Sequence, residues 1–412
     1  MPKRTLVLLE GSTRVNGLLF VQAAKRLGLH PITLSADPAQ YDYLAAERFE
    51  TIRVDTGNPN ALIRECLRLS ANYDIVGVTS PLEAFYAIAG KLCRYFDLPG
   101  PDPASIERCR DKYAQRQLLA KAGVPMPDYR VAANAAEIES AASEIGWPVV
   151  VKPTVGNCSR GVRLCRTVRE LTEHTTYLLG GKHIWQSTPN IVLVEEFAQG
   201  PQYIVHIMGN EVVAIAAAKF GRPPHFVFRK CIFPAPLTDD EHERIADVSL
   251  SCLRALGLGW GPINIELRWT KLGPVVIEVN PRIAGAPDSQ LGQLAYGVDL
   301  VAEHIKLVTG EICNLHKIRS HTAAAAFLIP DCDGTVDWID GVSRAAAMPG
   351  IAEVKLLIEP KMRIVRKGDD RDGIGWVIAS SPSLDQTEAI LQDAVDLIHW
   401  SITPFSILGR HE

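Results

Sequence analysis

The chain has 412 residues, 47% of them hydrophobic and 22% charged, with 43 Lys and Arg set against 47 Asp and Glu. At about 150 residues per domain this predicts two to three packed units, and the composition excludes disordered and fibrous classes. A formal net charge of −4 without a long basic run argues against nucleic acid as a partner.

The first apolar run stops at Glu10 and Gly11, too short for a secretory leader, and no run reaches the ~18 apolar residues that a membrane helix needs. A cytoplasmic location is expected. The nine cysteines are scattered with no C-x-x-C pair, so reduced, mostly buried thiols are expected, with neither a disulfide framework nor a zinc knuckle.

In chain order, TLVLLE (5–10) reads as a buried parallel strand and VNGLLFVQAAKRLGL as a helix with Leu18, Leu19, Ala23 and Leu27 on one face. PITLSA (31–36), ALIRECLRLSANY and DIVGVTS (74–80) continue the alternation as strand, helix and strand, which argues a doubly wound parallel sheet. FDLPGPDPAS (96–105) closes that unit, and a helix is predicted from Ile106 to Ala122, ended by Gly123, Pro125 and Pro127. Beyond it, 147–153, 161–167, 190–197, 202–209, 211–220, 261–269 and 274–282 read mostly as strands on short turns. A helix near 299–309, a further strand set over 321–380 and a closing helix at 384–400 complete the chain.

Two glycine segments are candidates for cradling phosphate. GSTRVNG (11–17) follows a strand and opens a helix, but a dinucleotide fingerprint needs glycine at its first, third and sixth positions, here Gly11, Thr13 and Asn16. It is read as a plain turn at the rim of the sheet. GNCSRG (156–161) has the outer spacing of a P-loop but lacks its Lys-Ser/Thr, and it lies between two strands instead of running into a helix. It is therefore a long hairpin tip offering backbone N–H groups, Ser159 and Arg160. The nearby Lys152 sits amid VVV and Pro153, where a lysine requires an anionic partner.

The strongest constellation is INIELRW, the turn TKLG, and VVIEVNPR. Alternation puts Asn264, Glu266 and Arg268 on one face of the first strand and Glu278 and Asn280 on one face of the second. A three-residue loop with left-handed Gly273 would pair Thr270 with Pro274, Glu266 with Glu278 and Asn264 with Asn280. Ile263, Ile265, Leu267, Val275, Ile277 and Val279 are then expected on the core face. Two carboxylates facing across a ladder repel by roughly 0.2–1 kcal/mol unless bridged, and carboxylate and amide oxygens without His or Cys favour Mg²⁺ over zinc.

With these residues in hand, the chain resembles the ATP-grasp superfamily over essentially its whole length, which implies an N-terminal doubly wound sheet, a small glycine-loop subdomain and a C-terminal antiparallel α+β domain. The expected bounds are 1–103, 104–198 and 199–412, the last with a terminal α/β lobe from 321. The resemblance implies ATP as cosubstrate and Mg²⁺, with Mn²⁺ as substitute, on Glu266, Glu278 and Asn280. Asp111-Lys112 opens a helix at the family's entry lysine, Lys152 is its phosphate-contacting lysine, and Gly156, Ser159, Arg160 and Gly161 belong to its closing loop. In VEEF, Glu195 and Glu196 mark the hinge, where Glu195 takes the adenine amino group and the backbone at Phe197 reads the ring edge. Arg282, with Arg268 as a second candidate, is placed where the family steadies the transferring phosphoryl group. The family's ribose-binding acid is replaced here by Gln202.

The implied reaction joins a carboxylate to an amine through an acylphosphate, and the architecture is most similar to the amino-acid ligases. In PRIAGAP, Gly285 and Ala286 leave room for substrate. In KFGRPPHFVFRKCIFPAP (219–236), Lys219, Phe228 and Arg229 are substrate candidates. The acidic residue expected there against a donor ammonium is absent, so the donor is read as a carboxylate lacking that ammonium, with Arg229 gripping a second anion. The other reading turns Arg229 and Lys230 to solvent and leaves Phe228 alone in the pocket. Alternatives at the level of function are a carboxylase or phosphoribosyl-amine ligase on the same scaffold, and a nucleotide-binding protein without catalysis. Small-molecule partners are expected, and a homodimer is left open. His206 and His304 are read as structural.

Overall fold

The computed structural model describes residues 2–12, 15–180 and 191–405, which form a mixed α/β fold of four sheets. Thr13 of the first glycine segment and Asn190, the expected start of the NIVLVEEF strand, lie outside the described residues.

The first sheet is parallel, with strands Lys3–Leu9, His30–Ser35, Glu50–Arg53 and Tyr73–Thr79. Its central strand buries both faces, as the unbroken apolar run implies. Leu6 and Leu8 meet Phe20, Val21 and Ala24 of helix Val15–Arg26, whereas Val7 and Leu9 meet Leu62, Cys66 and Leu92 from helices Pro59–Ser70 and Glu83–Tyr95. Helices on both faces make it doubly wound.

The single helix expected over 106–122 is two helices, Pro103–Arg110 and Lys112–Lys121. Asp111 breaks it: extended at φ −99°, its side chain accepts from the backbone N–H groups of Tyr113 and Ala114 and caps the second helix. The second sheet is antiparallel, in the order Tyr129–Ala132, Val192–Glu196, Val149–Pro153, Arg163–Cys165. Helices Ala135–Ile145 and Val168–Gly180, which the apolar pattern does not announce, cover one face; Asn134 starts the first by accepting from Glu137 N–H.

Eight antiparallel strands form the largest sheet, in the order Gly273–Asn280, Pro262–Thr270, Gln202–Met208, Glu211–Phe220, Phe228–Phe233, Thr322–Leu328, Gly375–Ser381, Ile351–Leu356. Helix Asp239–Leu256, started by a Thr238/Glu241 capping box, packs Ile245, Cys252 and Leu253 on Ile263, Ile265, Leu267, Val276 and Val279. Helix Asp288–Tyr296 sits on the opposite face. A small third antiparallel group, Gly334–Asp340, Arg363–Ile364 and His399–Pro404, holds the last strand of the described residues. The closing helix is thus shorter than expected, Leu384–Asp396, and its predicted tail is the start of a strand. No helix among the described residues is long and apolar enough to cross a membrane. None of the nine cysteines is in a disulfide, and six are buried.

Candidate active site

The two glutamates face each other, but by a different route from the expected one. The hairpin turns tightly, with Thr270 opposite Gly273 and Trp269 opposite Pro274, one residue out from the anticipated register. A β-bulge between Glu266 and Leu267 on the paired ladder then absorbs Ile277, so that Leu267 meets Val276 while Glu266 meets Glu278 and Asn264 meets Asn280. The bulge also changes the core face. Val276 takes the buried place expected for Val275 and Ile277, and Ile277 turns to the cavity beside Glu278.

That cavity, about 450 Å³, lies between the second sheet, the eight-stranded sheet and the rim of the first. Among the described residues five cationic side chains line it: Lys112, Lys152, Arg160, Arg268 and Arg282. Lys112 Nζ stands 2.9 Å from Glu278 Oε1 and donates to Gly156 O at 2.5 Å, joining the metal-candidate strand to the glycine segment. Burial alone would raise the Glu278 carboxyl, but Lys112, Lys152 and Arg282 outweigh it and hold the group below its ordinary range. Glu266 has the opposite fate: burial and the Glu278 charge push it up to about 7.

Lys152 finds the anion its sequence setting demands. Its Nζ is 2.5 Å from Glu195 Oε2, and Arg116 Nε is 2.6 Å from Glu195 Oε1. Arg116 also donates to Ile277 O at 2.6 Å, tying the bulge to this buried triad. Desolvation lowers the Lys152 pKa, partly offset by Glu195. Arg116 is not among the residues singled out from sequence, although an arginine four residues after the entry lysine shares its helix face. Both Glu195 oxygens are thus already engaged by cations. Glu196 and Phe197 line the cavity beside it.

Gln202 is likewise engaged by the protein itself. Its Nε2 donates to Glu266 Oε2 at 2.8 Å, and its Oε1 accepts from Arg268 Nε at 3.2 Å, so it orients two neighbours. Arg268 is correspondingly drawn to the hinge. It donates to Ala198 O at 3.3 Å and lies over the rings of Phe197 and Phe226, at 5.2 and 5.5 Å. The second phosphoryl-steadying candidate thus belongs to the hinge end of the cavity.

Arg282 does reach the cavity floor, where its Nε is 2.9 Å from Glu83 Oε2. Glu83, in the first turn of helix Glu83–Tyr95, was not singled out from sequence; its place after the end of a parallel strand, at the sheet's ligand-facing edge, was the available signal. The first glycine segment is more than a plain turn. Ser12 and Asn16 line the cavity, and Asn16 accepts from Ala286 N–H at 2.9 Å and donates to Ala284 O at 3.4 Å, bracing the PRIAGAP segment.

Gly156, Ser159 and Arg160 line the cavity, and Arg160 binds Asp370 through two bonds of 3.0 and 3.2 Å. Gly161 does not line it; with φ +73° it closes the hairpin tip. Phe228, Gly285 and Ala286 are cavity residues. Lys219 and Arg229 are not. A bulge between Lys219 and Phe220 turns Arg229 out to solvent, and Lys219 pairs with Glu388 at 3.8 Å on the outer face, where Lys230 also bonds Glu388. Arg229 therefore does not grip a second anion in the cavity, and Phe228 alone of that segment's candidates faces it. His206 and His304 are buried away from it and held neutral by desolvation, at about 4 and 3.

The donor set suits Mg²⁺. Glu266 and Glu278 present like charges to one another in a desolvated place, and the raised Glu266 carboxyl is the strain that a divalent cation would relieve. Among the described residues no group of three or more His, Cys, Asp and Glu side chains is gathered for a metal, so the protein offers two carboxylates and the Asn280 amide, with phosphates left to complete the sphere.

A family model for the carbamoyl-phosphate synthase L chain ATP-binding domain matches residues 111–316, and one for the L-amino acid ligase C-terminal domain 2 matches residues 326–403. The chain belongs to the ATP-grasp ligase family. An uncharacterized protein of Sinorhizobium fredii, y4rH, is 61% identical over 410 residues, covering all of this chain and 85% of its own. Mouse carnosine synthase 1 is 26% identical over 350 residues, 79% of this chain, and the match spans only 42% of that longer protein. Among solved structures, the L-amino acid ligase of Bacillus licheniformis superposes with a TM-score of 0.81 at 19% identity, covering 98% of this chain and 100% of the other.

Proposed function

We propose that this ATP-grasp chain joins a carboxylate to an amine through an acylphosphate, releasing ADP and phosphate. The observation that carries the reading is the Glu266/Glu278 pair, opposed across one ladder, in a cavity into which Lys112, Lys152 and Arg282 also project.

Glu266, Glu278 and Asn280 would hold Mg²⁺, which supplies charge neutralisation on the β- and γ-phosphates. Lys112 and Lys152 add positive charge along the phosphate chain, each pre-positioned by a carboxylate. The main chain of 196–198 is offered to the adenine edge beside the cation-bound Glu195, with Ile277 and Phe197 as apolar neighbours. Arg282, aimed by Glu83, stabilises charge on the transferring phosphoryl group and on the tetrahedral oxyanion that follows. The glycine segment, latched through Arg160, keeps water from an intermediate that hydrolyses when wet.

The match to the L-amino acid ligase domain over 326–403 favours amide formation over carboxylation on the same scaffold. The test is ADP release with a matrix of carboxylates, each with hydroxylamine as a trap for the acylphosphate. Hydroxamate formation that needs ATP and Mg²⁺ is expected. ADP release with bicarbonate alone would establish the carboxylase alternative, and no ADP release with any carboxylate or with bicarbonate would sink both.

A further inference from the structure

At the end of the cavity away from the hinge, one acidic side chain keeps an oxygen without a partner. Asp288 opens helix Asp288–Tyr296 and is 7% exposed, and its Oδ1 has no hydrogen-bond partner among the described residues. The side chain's neighbour is the thiol of Cys231, on the strand that also carries Phe228. A buried carboxylate oxygen without a donor is costly, more so if charged, and persists where a ligand supplies the donor. The other acids toward this end are already paired, Glu83 with Arg282 and Asp370 with Arg160.

The wall beside Asp288 is aromatic. Phe220 and Phe228 stack at 5.1 Å, and Phe228 and Phe327 meet at 5.1 Å, all three lining the cavity and packing in the same cluster as Cys231 and Ala286. Ring faces attract a cation, and a carboxylate fixes its position by charge and hydrogen bonding; together they describe a site for an ammonium group on an apolar body.

From this geometry we propose that Asp288, with Phe220, Phe228 and Phe327, forms the subsite that holds a substrate's primary ammonium group. The inference deepens the ligase reading and rests on it for the name substrate. It also accounts for the missing acid of segment 219–236, since Asp288 reaches Cys231 of that segment from the facing helix. Burial raises the Asp288 carboxyl to about 7, a shift that a bound cation would reverse.

The direct test is calorimetric titration of phenethylamine into the nucleotide-free protein at pH 8, comparing wild type with the isosteric Asp288→Asn. Binding by wild type, at least tenfold weaker in Asp288→Asn and about threefold weaker in Phe228→Leu, is the expected result, with melting curves to confirm folding. No binding by wild type, or equal affinity in Asp288→Asn, overturns the subsite. Turnover arms identify the source of the ammonium. If it belongs to the acceptor, the Michaelis constant for phenethylamine rises at least tenfold in Asp288→Asn. If it belongs to the donor, wild type forms hydroxamate from L-phenylalanine in preference to its deaminated analogue, phenylpropanoate, and the variant loses that preference. A protein that binds the amine through Asp288 yet forms no hydroxamate from any carboxylate keeps the subsite and loses the ligase reading. One that forms hydroxamates with both the Michaelis constant and the preference unaltered in Asp288→Asn keeps the ligase reading and loses the subsite.

Discussion

Arg160 and Asp370, 210 residues apart in the chain, hold each other through two parallel bonds of 3.0 and 3.2 Å. The pair ties the tip of the glycine hairpin to the short turn Asp370–Asp372, and both members of the pair line the cavity. Asp370→Ala should release the tip. Trypsin cuts after arginine, so cleavage at the Arg160–Gly161 bond is expected to quicken several-fold in the variant, and ATP with Mg²⁺ should slow it again. Mass spectrometry of a digestion time course reads both effects; equal cleavage rates would show that the tip is held by something else.

Glu278→Ala removes one of two facing carboxylates and the partner of Lys112. Turnover should fall at least 100-fold, about 2.7 kcal/mol in the barrier at 1.36 kcal/mol per tenfold. The fold should persist, because the side chain faces the cavity. Activity within tenfold of wild type would take Glu278 out of the metal set.

The buried triad of Arg116, Glu195 and Lys152 predicts two unlike outcomes. Arg116→Met leaves Glu195 with half its compensation and frees Ile277 O, so denaturant unfolding should show a loss of about 3–5 kcal/mol. Lys152→Met should act mainly on nucleotide, raising the KM for ATP at least tenfold by leaving phosphate charge unpaired. An unaltered KM would confine Lys152 to anchoring Glu195.

Glu266 gives a pH signature. Its carboxyl is raised from the ordinary 4.5 to about 7, first by burial and then by Glu278. An acid raised in the fold favours the native state while protonated; that advantage is complete below about 4.5 and is lost as pH climbs through 7. Without metal, Glu266→Gln should therefore gain on wild type between pH 5 and pH 8, by on the order of 1–2 kcal/mol, a fraction of the full linkage because the group opens on the cavity. Melting temperatures across that range, with chelator present, would show a pH-independent difference if Glu266 were ordinary.

The facing glutamates were legible in the sequence because strand alternation and turn position are local, yet the route to them was not. The turn is one residue tighter than Lys271-Leu272-Gly273 suggested, and the bulge at Ile277 returns that residue, so two local departures cancel at Glu278. No pattern in VVIEVN announces a bulge; it is fixed by Arg116 on a distant helix binding Ile277 O. The motif lysines were readable from their apolar settings and the family resemblance, whereas Glu83 and Asp370, which aim the arginines, lie 199 and 210 residues from them. Gln202 and Arg268 read from the sequence as polar residues of the strands around the cavity, but their contacts depend on each other and on Glu266, a three-way choice that alternation cannot make.

The eight-stranded sheet bears on attempts to recombine this chain with its relatives. Strand Thr322–Leu328 zips onto Phe228–Phe233 residue by residue, Lys230 to Ala326 through Phe233 to Ala323, and carries Phe327 into the cavity wall. Residue 321 looks on paper like the seam at which a terminal lobe could be exchanged. A chimaera joined there would splice foreign residues into the middle of a continuous hydrogen-bonded plate and replace part of the cavity wall in the same stroke. Transplanted lobes are therefore expected to carry their donor's side-chain preference with them or not to fold at all, which makes the seam a site for reprogramming selectivity and a poor one for modular assembly.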